Sequence, residues 1–248
     1  MATEAQSPSS ENVTNTEIPK PSWNPSPVLA TTYSFPSLEP IGFVEYPRNN
    51  LYLPLRKDLL HRAVVYEGDK TRQGTASTKW RDDVRGSGRK LYQQKGTGHA
   101  RAGDKKSPVR VGGGVAHGPH PRDMSTKLPR KIYDQAWRTA LSYRYRRGEL
   151  IIIDGKMEMP EDSTPYFAEA FLHTHELFSR TLITEEYDEA LSAAFREVTQ
   201  RTKVLDREDV DVKNLLENKA LIIEKRALDN ILAQHSRDLV SEAPKARY

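Results

Sequence analysis

Between Lys70 and Lys131 the chain carries 16 Lys and Arg against 4 Asp and Glu, together with 10 of its 14 glycines and few large apolar side chains. A segment of that kind cannot build a core. Fixing its backbone costs roughly 1–2 kcal/mol per residue, and it has no apolar burial of its own to offset that cost. The stretch must therefore be an excursion from a body folded by the flanking residues, with ordering and partner binding coupled. Its net charge of +12 (16 less 4) makes the partner a polyanion, and its glycines predict that the partner approaches the backbone closely.

The whole chain of 248 residues carries only +4, so everything outside this stretch sums to −8 (4 less 12). A weakly basic total thus conceals an acidic body with one strongly basic arm. The apolar fraction of 36% is low for a chain long enough to bury a sizeable core. That deficit is local: it falls in the first thirty residues and in the arm. With no Cys there is no disulfide scaffold, thiolate metal site or cysteine nucleophile, which fits a reducing compartment. No apolar run is long enough to span a membrane. The N-terminus has no apolar signal core and no Arg before Arg48, so an organellar presequence would be atypical or already removed.

Hydrophobic periodicity sets the expected elements. Residues 1–32, rich in Ser, Pro, Thr and Asn, are expected to form a tail. Tyr33–Leu53 suggests short strands with a hairpin over Pro47–Asn50, and a helix is expected after Pro54. The arm returns into a second helix, Pro129–Arg147, with Gly148 as its stop. Ile132, Ala136, Trp137, Ala140, Leu141 and Tyr145 form its buried stripe, and Arg130, Lys131, Arg138, Arg144, Arg146 and Arg147 its basic face. Strands are then predicted at 150–153, 181–184, 203–205 and 220–223. Helices alternate with them at 164–178, capped by Ser163 or Thr164, and at 186–198, 212–216 and 227–235. That alternation predicts an α/β fold, a parallel sheet layered by helices. The expected organisation is a tail over 1–32, one α/β domain over 33–240 interrupted by the arm at about 72–128, and a C-terminal tail over 241–248.

An α/β body invites a nucleotide-binding reading, but the phosphate loops are missing. There is no GxxxxGK[ST], and Gly86-Ser87-Gly88 and Gly96-Thr97-Gly98 lack both the third glycine and the strand-to-helix context of a dinucleotide site. His117 with His120, and His173 with His175, have neither Cys nor well-spaced carboxylates beside them to complete a metal site. Asp206, Glu208, Asp209 and Asp211 sit in a polar connection, where solvation or helix capping is the expected role. No catalytic residue and no cofactor is expected.

The cations of the arm, by contrast, all point one way. Lys79, Arg81, Arg85, Arg89, Lys90, Lys95, Arg101, Lys105, Lys106, Arg110, Arg122, Lys127, Arg130 and Lys131 are spread along it, as suits a phosphate chain threaded past. Trp80, Tyr92, His99, His117 and His120 are interleaved and can stack on unpaired bases. Three classes fit this pattern: an RNA-bound structural protein, a free-standing RNA-binding regulator, and an α/β enzyme taking an anionic substrate.

The order and spacing of the arm's blocks separate these classes. Gly86-Ser87-Gly88-Arg89-Lys90, Gln94-Lys95-Gly96-Thr97-Gly98-His99-Ala100-Arg101, Ser107-Pro108, Gly112-Gly113-Gly114-Val115, and Gly118-Pro119-His120-Pro121-Arg122-Asp123 through Leu128-Pro129-Arg130-Lys131 resemble the arm of the universal large-subunit ribosomal protein L-four family. The likeness begins at Arg72-Gln73-Gly74-Thr75 and continues through the α/β series to about His235. It implies a non-enzymatic constituent of the large ribosomal subunit that binds large-subunit rRNA through the arm, with Gln94 and Thr97 joining the residues above as rRNA contacts. It also implies that the arm's tip, Gln93, Gln94, Lys95, Gly96, Thr97, Gly98 and His99, faces the peptide exit tunnel. There the nascent polypeptide and the L-twenty-two ribosomal protein would be its neighbours. Bacterial members usually carry Trp-Arg where Tyr92-Gln93 stand and Arg where His99 stands, so two cationic groups are absent from this tip. Gly113 to Pro121 followed by Trp137 to Tyr145 is similar to the mitochondrial, fungal-type members. That likeness implies a ribosome of the mitochondrial matrix, with a bacterial or other organellar ribosome as the fallback.

Overall fold

The computed structural model of the chain describes residues 26–158, 165–175, 179–199 and 201–239. Most of the expected tail, the end of the chain from 240, and both ends of the expected 164–178 helix with its proposed cap lie outside the described residues.

Among the described residues six strands form one sheet in the order β2-β1-β3-β6-β4-β5. They are β1 Val28–Tyr33, β2 Pro40–Tyr46, β3 Leu150–Ile153, β4 Arg180–Thr184, β5 Lys203–Asp206 and β6 Ala220–Glu224. All neighbours run parallel except β1 and β2, which form an antiparallel hairpin at one edge. Among the described residues seven helices accompany them: α1 Arg48–Leu51, α2 Lys57–Lys70, α3 Arg130–Arg146, α4 Pro165–Thr174, α5 Glu189–Val198, α6 Val212–Glu217 and α7 Lys225–Gln234.

The side-chain period of two splits the central strands between two cores. Ile152, Ile183, Leu221 and Ile223 face α1, α2, α3, α6 and α7 through Leu51, Leu59, Ala63, Trp137, Leu141, Leu215 and Leu228. Ile153, Leu182 and Ile222 face α4 and α5 through Phe171, Leu172, Leu191 and Phe195. The result is a three-layer α/β body, as the alternation predicted.

Three local expectations are corrected. The hairpin turn lies at residues 34–39, closed by Ser34 N–H to Glu39 O and Leu38 N–H to Ser34 O. Pro47–Asn50 instead opens the short helix α1. Residues 28–32, expected in the tail, are sheet residues: all five pair with β2, and Thr32 also pairs with β3, so the sheet begins earlier than the composition suggests. In α3, Arg138 and Arg144 leave the basic face: both are buried, because this helix is enclosed by α1, α2, α6 and the segment that follows α7. Arg144 Nε donates to Leu215 O at 2.8 Å, and its Nη atoms bond Lys219 O, Asn218 O and the Glu149 carboxylate. Arg138 pairs with Asp238 at 2.6 Å.

Candidate nucleic-acid interface

The arm leaves α2 at Lys70 and returns at Arg130, so its position depends on how α2 packs against α3. Glu67, one turn before the exit, is almost fully buried there. Its carboxylate accepts the Tyr133 hydroxyl of α3 at 2.8 Å and the N–H groups of Val212 and Lys213 at 2.9 Å each. One side chain thus ties together the departing helix, the returning helix and the N-terminus of α6. It supplies the α6 cap that Asp211 does not, since Asp211 makes no side-chain capping bond. Burial pushes the Glu67 carboxyl above the usual range against these donors, with the Asp211 charge adding to the rise.

Residues 71–129 contain no helix or strand, yet the arm is not shapeless. An outgoing and a returning limb are tied by Arg122 N–H to Gly74 O, Thr78 N–H to Pro119 O, Val115 N–H to Lys79 O and Leu91 N–H to Gly103 O. Arg81 donates to Asp104 across the limbs through Nε at 3.0 Å and Nη2 at 2.8 Å, and the Tyr92 hydroxyl bonds Ala100 O. These ties nest around a turn at Gln93–His99, in which Gly96 and Gly98 adopt positive φ. The segment expected to be the tip is therefore the turn joining the limbs.

The glycines need a correction. A Cβ on Gly114 would stand 2.3 Å from the Arg81 backbone nitrogen, and one on Gly74, whose φ is +61°, 2.0 Å from Arg122 O. At these positions the neighbour that comes close to the backbone is the arm's other limb. Composition shows that something approaches a glycine without showing what.

The expected RNA-contacting side chains lie along these limbs. All are exposed apart from Thr97 and Lys106, which are half-buried. Of the fourteen cations named above, only Arg81 and Arg130 have a carboxylate within ion-pair reach among the described residues. The body contrasts with this: Arg138, Arg144, Arg147, Lys203, Arg207 and Lys225 all have acidic partners. The buried cations of the body are thus neutralised, while most cations of the arm are left without a carboxylate partner, which concentrates positive charge there. Trp80 is half exposed and packs edge-on against the His120 ring, with centroids 4.2 Å apart. His99 lies 6.1 Å from the Tyr92 ring, while His117 stands exposed on the returning limb. The aromatic groups are thus distributed over the arm, not gathered into one pocket.

The other place for a ligand in an open α/β sheet is the crevice at the carboxyl ends of its strands. Here it is acidic, lined by Glu185, Glu186 and Glu224 with Lys156 and Arg226. The buried Glu224 carboxylate accepts the Met157 N–H at 2.7 Å and the Glu185 N–H at 2.8 Å. Backbone donors that could cradle a phosphate are already taken by a fixed anion. Among the described residues no cluster of His, Asp and Glu could hold a metal ion, and no helix is long and apolar enough to cross a membrane.

The sequence is similar to those of known proteins. Residues 44–234 match the model of the ribosomal protein L4/L1 family. The chain is 42% identical to the large ribosomal subunit protein uL4m of Neurospora crassa, over 94% of this chain and 79% of that protein. It is 38% identical to the large ribosomal subunit protein uL4 of Dehalococcoides mccartyi, over 72% and 84% of the two chains. Against uL4 of Streptomyces coelicolor it is 32% identical over 85% and 96%.

Proposed function

The chain belongs to the ribosomal protein L4/L1 family, and we propose from that premise that it is a structural constituent of the mitochondrial large ribosomal subunit, bound to large-subunit rRNA through its arm. It acts by binding and positioning and not by catalysis. One observation carries the role of the arm: twelve of its fourteen cations lack a carboxylate partner among the described residues, whereas the two cations buried in the body, Arg138 and Arg144, each have one. Neutralising phosphates releases their counterions, and that release drives binding. The limb ties hold the cations in a fixed order along the RNA, and Glu67 with Tyr133 holds the arm to the body.

The finer assignments belong to the same reading. The rRNA contacts run from Lys79 to Lys131 along both limbs. The turn Gln93–His99 is furthest from the body along the chain, which suits it to face the exit tunnel, where it would meet the nascent polypeptide and the L-twenty-two protein. The arm, about 72–128, interrupts a single α/β domain.

Sucrose-gradient fractionation of a mitochondrial extract tests the assignment. The chain is expected to co-sediment with the large subunit and to leave it only when salt or magnesium removal unfolds the rRNA. Recovery in the soluble fractions with intact subunits below would make it a free-standing RNA-binding protein instead.

A further inference from the structure

A second cationic site stands on the body, away from the arm. Arg48 of α1 and Arg146 of α3 both lie against the ring of Tyr52, with guanidinium carbons 5.0 and 4.4 Å from its centroid. Arg146 Nη2 also donates to Tyr52 O at 3.0 Å, which fixes the group in place. Tyr145 completes the corner: its ring meets Tyr52 edge-on, and its hydroxyl donates to Leu29 O at 2.6 Å. Beside these groups opens a cleft of about 380 Å³ lined by Ser26, Leu29, Arg48, Tyr52 and Tyr145.

Neither guanidinium has a carboxylate within ion-pair reach among the described residues, and both are exposed. The neighbouring Arg56, Arg144 and Arg147, by contrast, are all paired with acidic groups. Two like charges converging on one ring repel each other. The ring face offsets this only in part, since an exposed cation–π contact contributes about 0.5–1 kcal/mol. An anion bound beside the pair would offset the repulsion and could use the planar donor forks of these side chains.

We propose that Arg48, Tyr52 and Arg146 form a second RNA contact, in which the two guanidiniums grip a backbone phosphate and the cleft receives the adjoining nucleotide. The inference rests on the rRNA-binding reading above. It adds a clamp: α3 runs from the arm's return at Arg130 to Arg146, about 24 Å at 1.5 Å per residue, so the RNA is held at both ends of one rigid helix.

The test uses the full chain and an in vitro transcript of its cognate large-subunit rRNA, with affinity measured across a salt series. Replacing both residues, Arg48→Gln with Arg146→Gln, is expected to weaken binding about tenfold and to make the log–log salt slope shallower by about 0.7–0.9, the loss of one phosphate contact. The charge-conserving pair Arg48→Lys with Arg146→Lys should retain the slope. An unchanged slope in a Gln variant with the native unfolding midpoint overturns the proposal. So does a variant that binds RNA normally but fails to enter the subunit, which would assign the corner to an acidic protein. If the double variant unfolds, the exposed Arg48→Gln alone carries the same slope test. Lys105→Gln with Lys106→Gln and Arg110→Gln is the arm control: if it too leaves binding unchanged, the rRNA-binding reading itself fails.

Discussion

The Tyr133 hydroxyl donates to the Glu67 carboxylate at 2.8 Å, joining α3 to α2 at the two points where the arm enters and leaves the body. The same carboxylate caps α6 through Val212 and Lys213. Removing it leaves a half-buried hydroxyl and two helix-end N–H groups without their acceptor. Glu67→Ala is expected to cost about 2–4 kcal/mol, as buried donors deprived of a charged partner do. Urea unfolding checks this; a loss below about 0.5 kcal/mol, the size of an ordinary surface effect, would mean the junction is held otherwise.

Two groups give opposite pH trends. Burial raises the Glu67 carboxyl, so between the ordinary glutamate range and its raised value the folded chain keeps a proton that the unfolded chain has released. Its contribution to stability therefore falls as pH rises through that window, and Glu67→Gln should remove the fall. His235 behaves in the reverse sense. Burial lowers its pKa, although its Nδ1–H donates to Asp134 at 2.7 Å and that charge opposes the shift. Arg130 and Arg138 reinforce the lowering. Below the ordinary histidine value near 6.5 the unfolded chain takes up a proton that the folded chain resists, so stability present above that value is lost on acidification. Unfolding free energies measured across that range should vary less steeply in His235→Asn than in the unaltered chain.

The limb ties predict a variant that harms the arm and spares the body. Gly114→Val places a side chain into the Arg81 backbone, 2.3 Å from the new Cβ. Body stability should change by less than about 0.5 kcal/mol, while rRNA affinity falls at least about tenfold. Thermal unfolding and filter binding of the same preparation separate the two effects; equal loss in both would show that the limbs are part of the body's core.

At the turn, Lys95→Ala with His99→Ala is expected to alter nascent-chain passage or sensitivity to tunnel-binding drugs more than subunit assembly. Polysome profiles with drug titration measure both. A block in assembly with an unaltered tunnel would move the tip elsewhere.

Periodicity made the parallel half of the body legible: β3 begins and ends where its apolar run does, and β4, β5, β6, α3 and α6 fall within a residue or so of expectation. Repeated burial of every second or every third and fourth residue is a local signal that tertiary context did not override. The β1–β2 hairpin was misplaced because Pro47 and the two asparagines after it look like a turn, while the actual turn at residues 34–39 holds more apolar residues. Arg138 and Arg144 read as surface because their charge is visible in sequence and their partners, Asp238 and the carbonyls of Leu215, Asn218 and Lys219, are 71–100 residues away. Glu67 was invisible for the same reason. Bare charge along the arm was legible, but the pairing of its limbs was not, since glycine spacing does not reveal which backbone a glycine approaches.

The central claim is that the arm anchors this chain to the large subunit while the body folds independently of it. Deleting residues 80–125 and following the variant through a sucrose gradient tests that most directly. The account predicts a variant with a cooperative unfolding transition that stays out of the large-subunit peak. A deletion variant found in that peak at normal occupancy would contradict it.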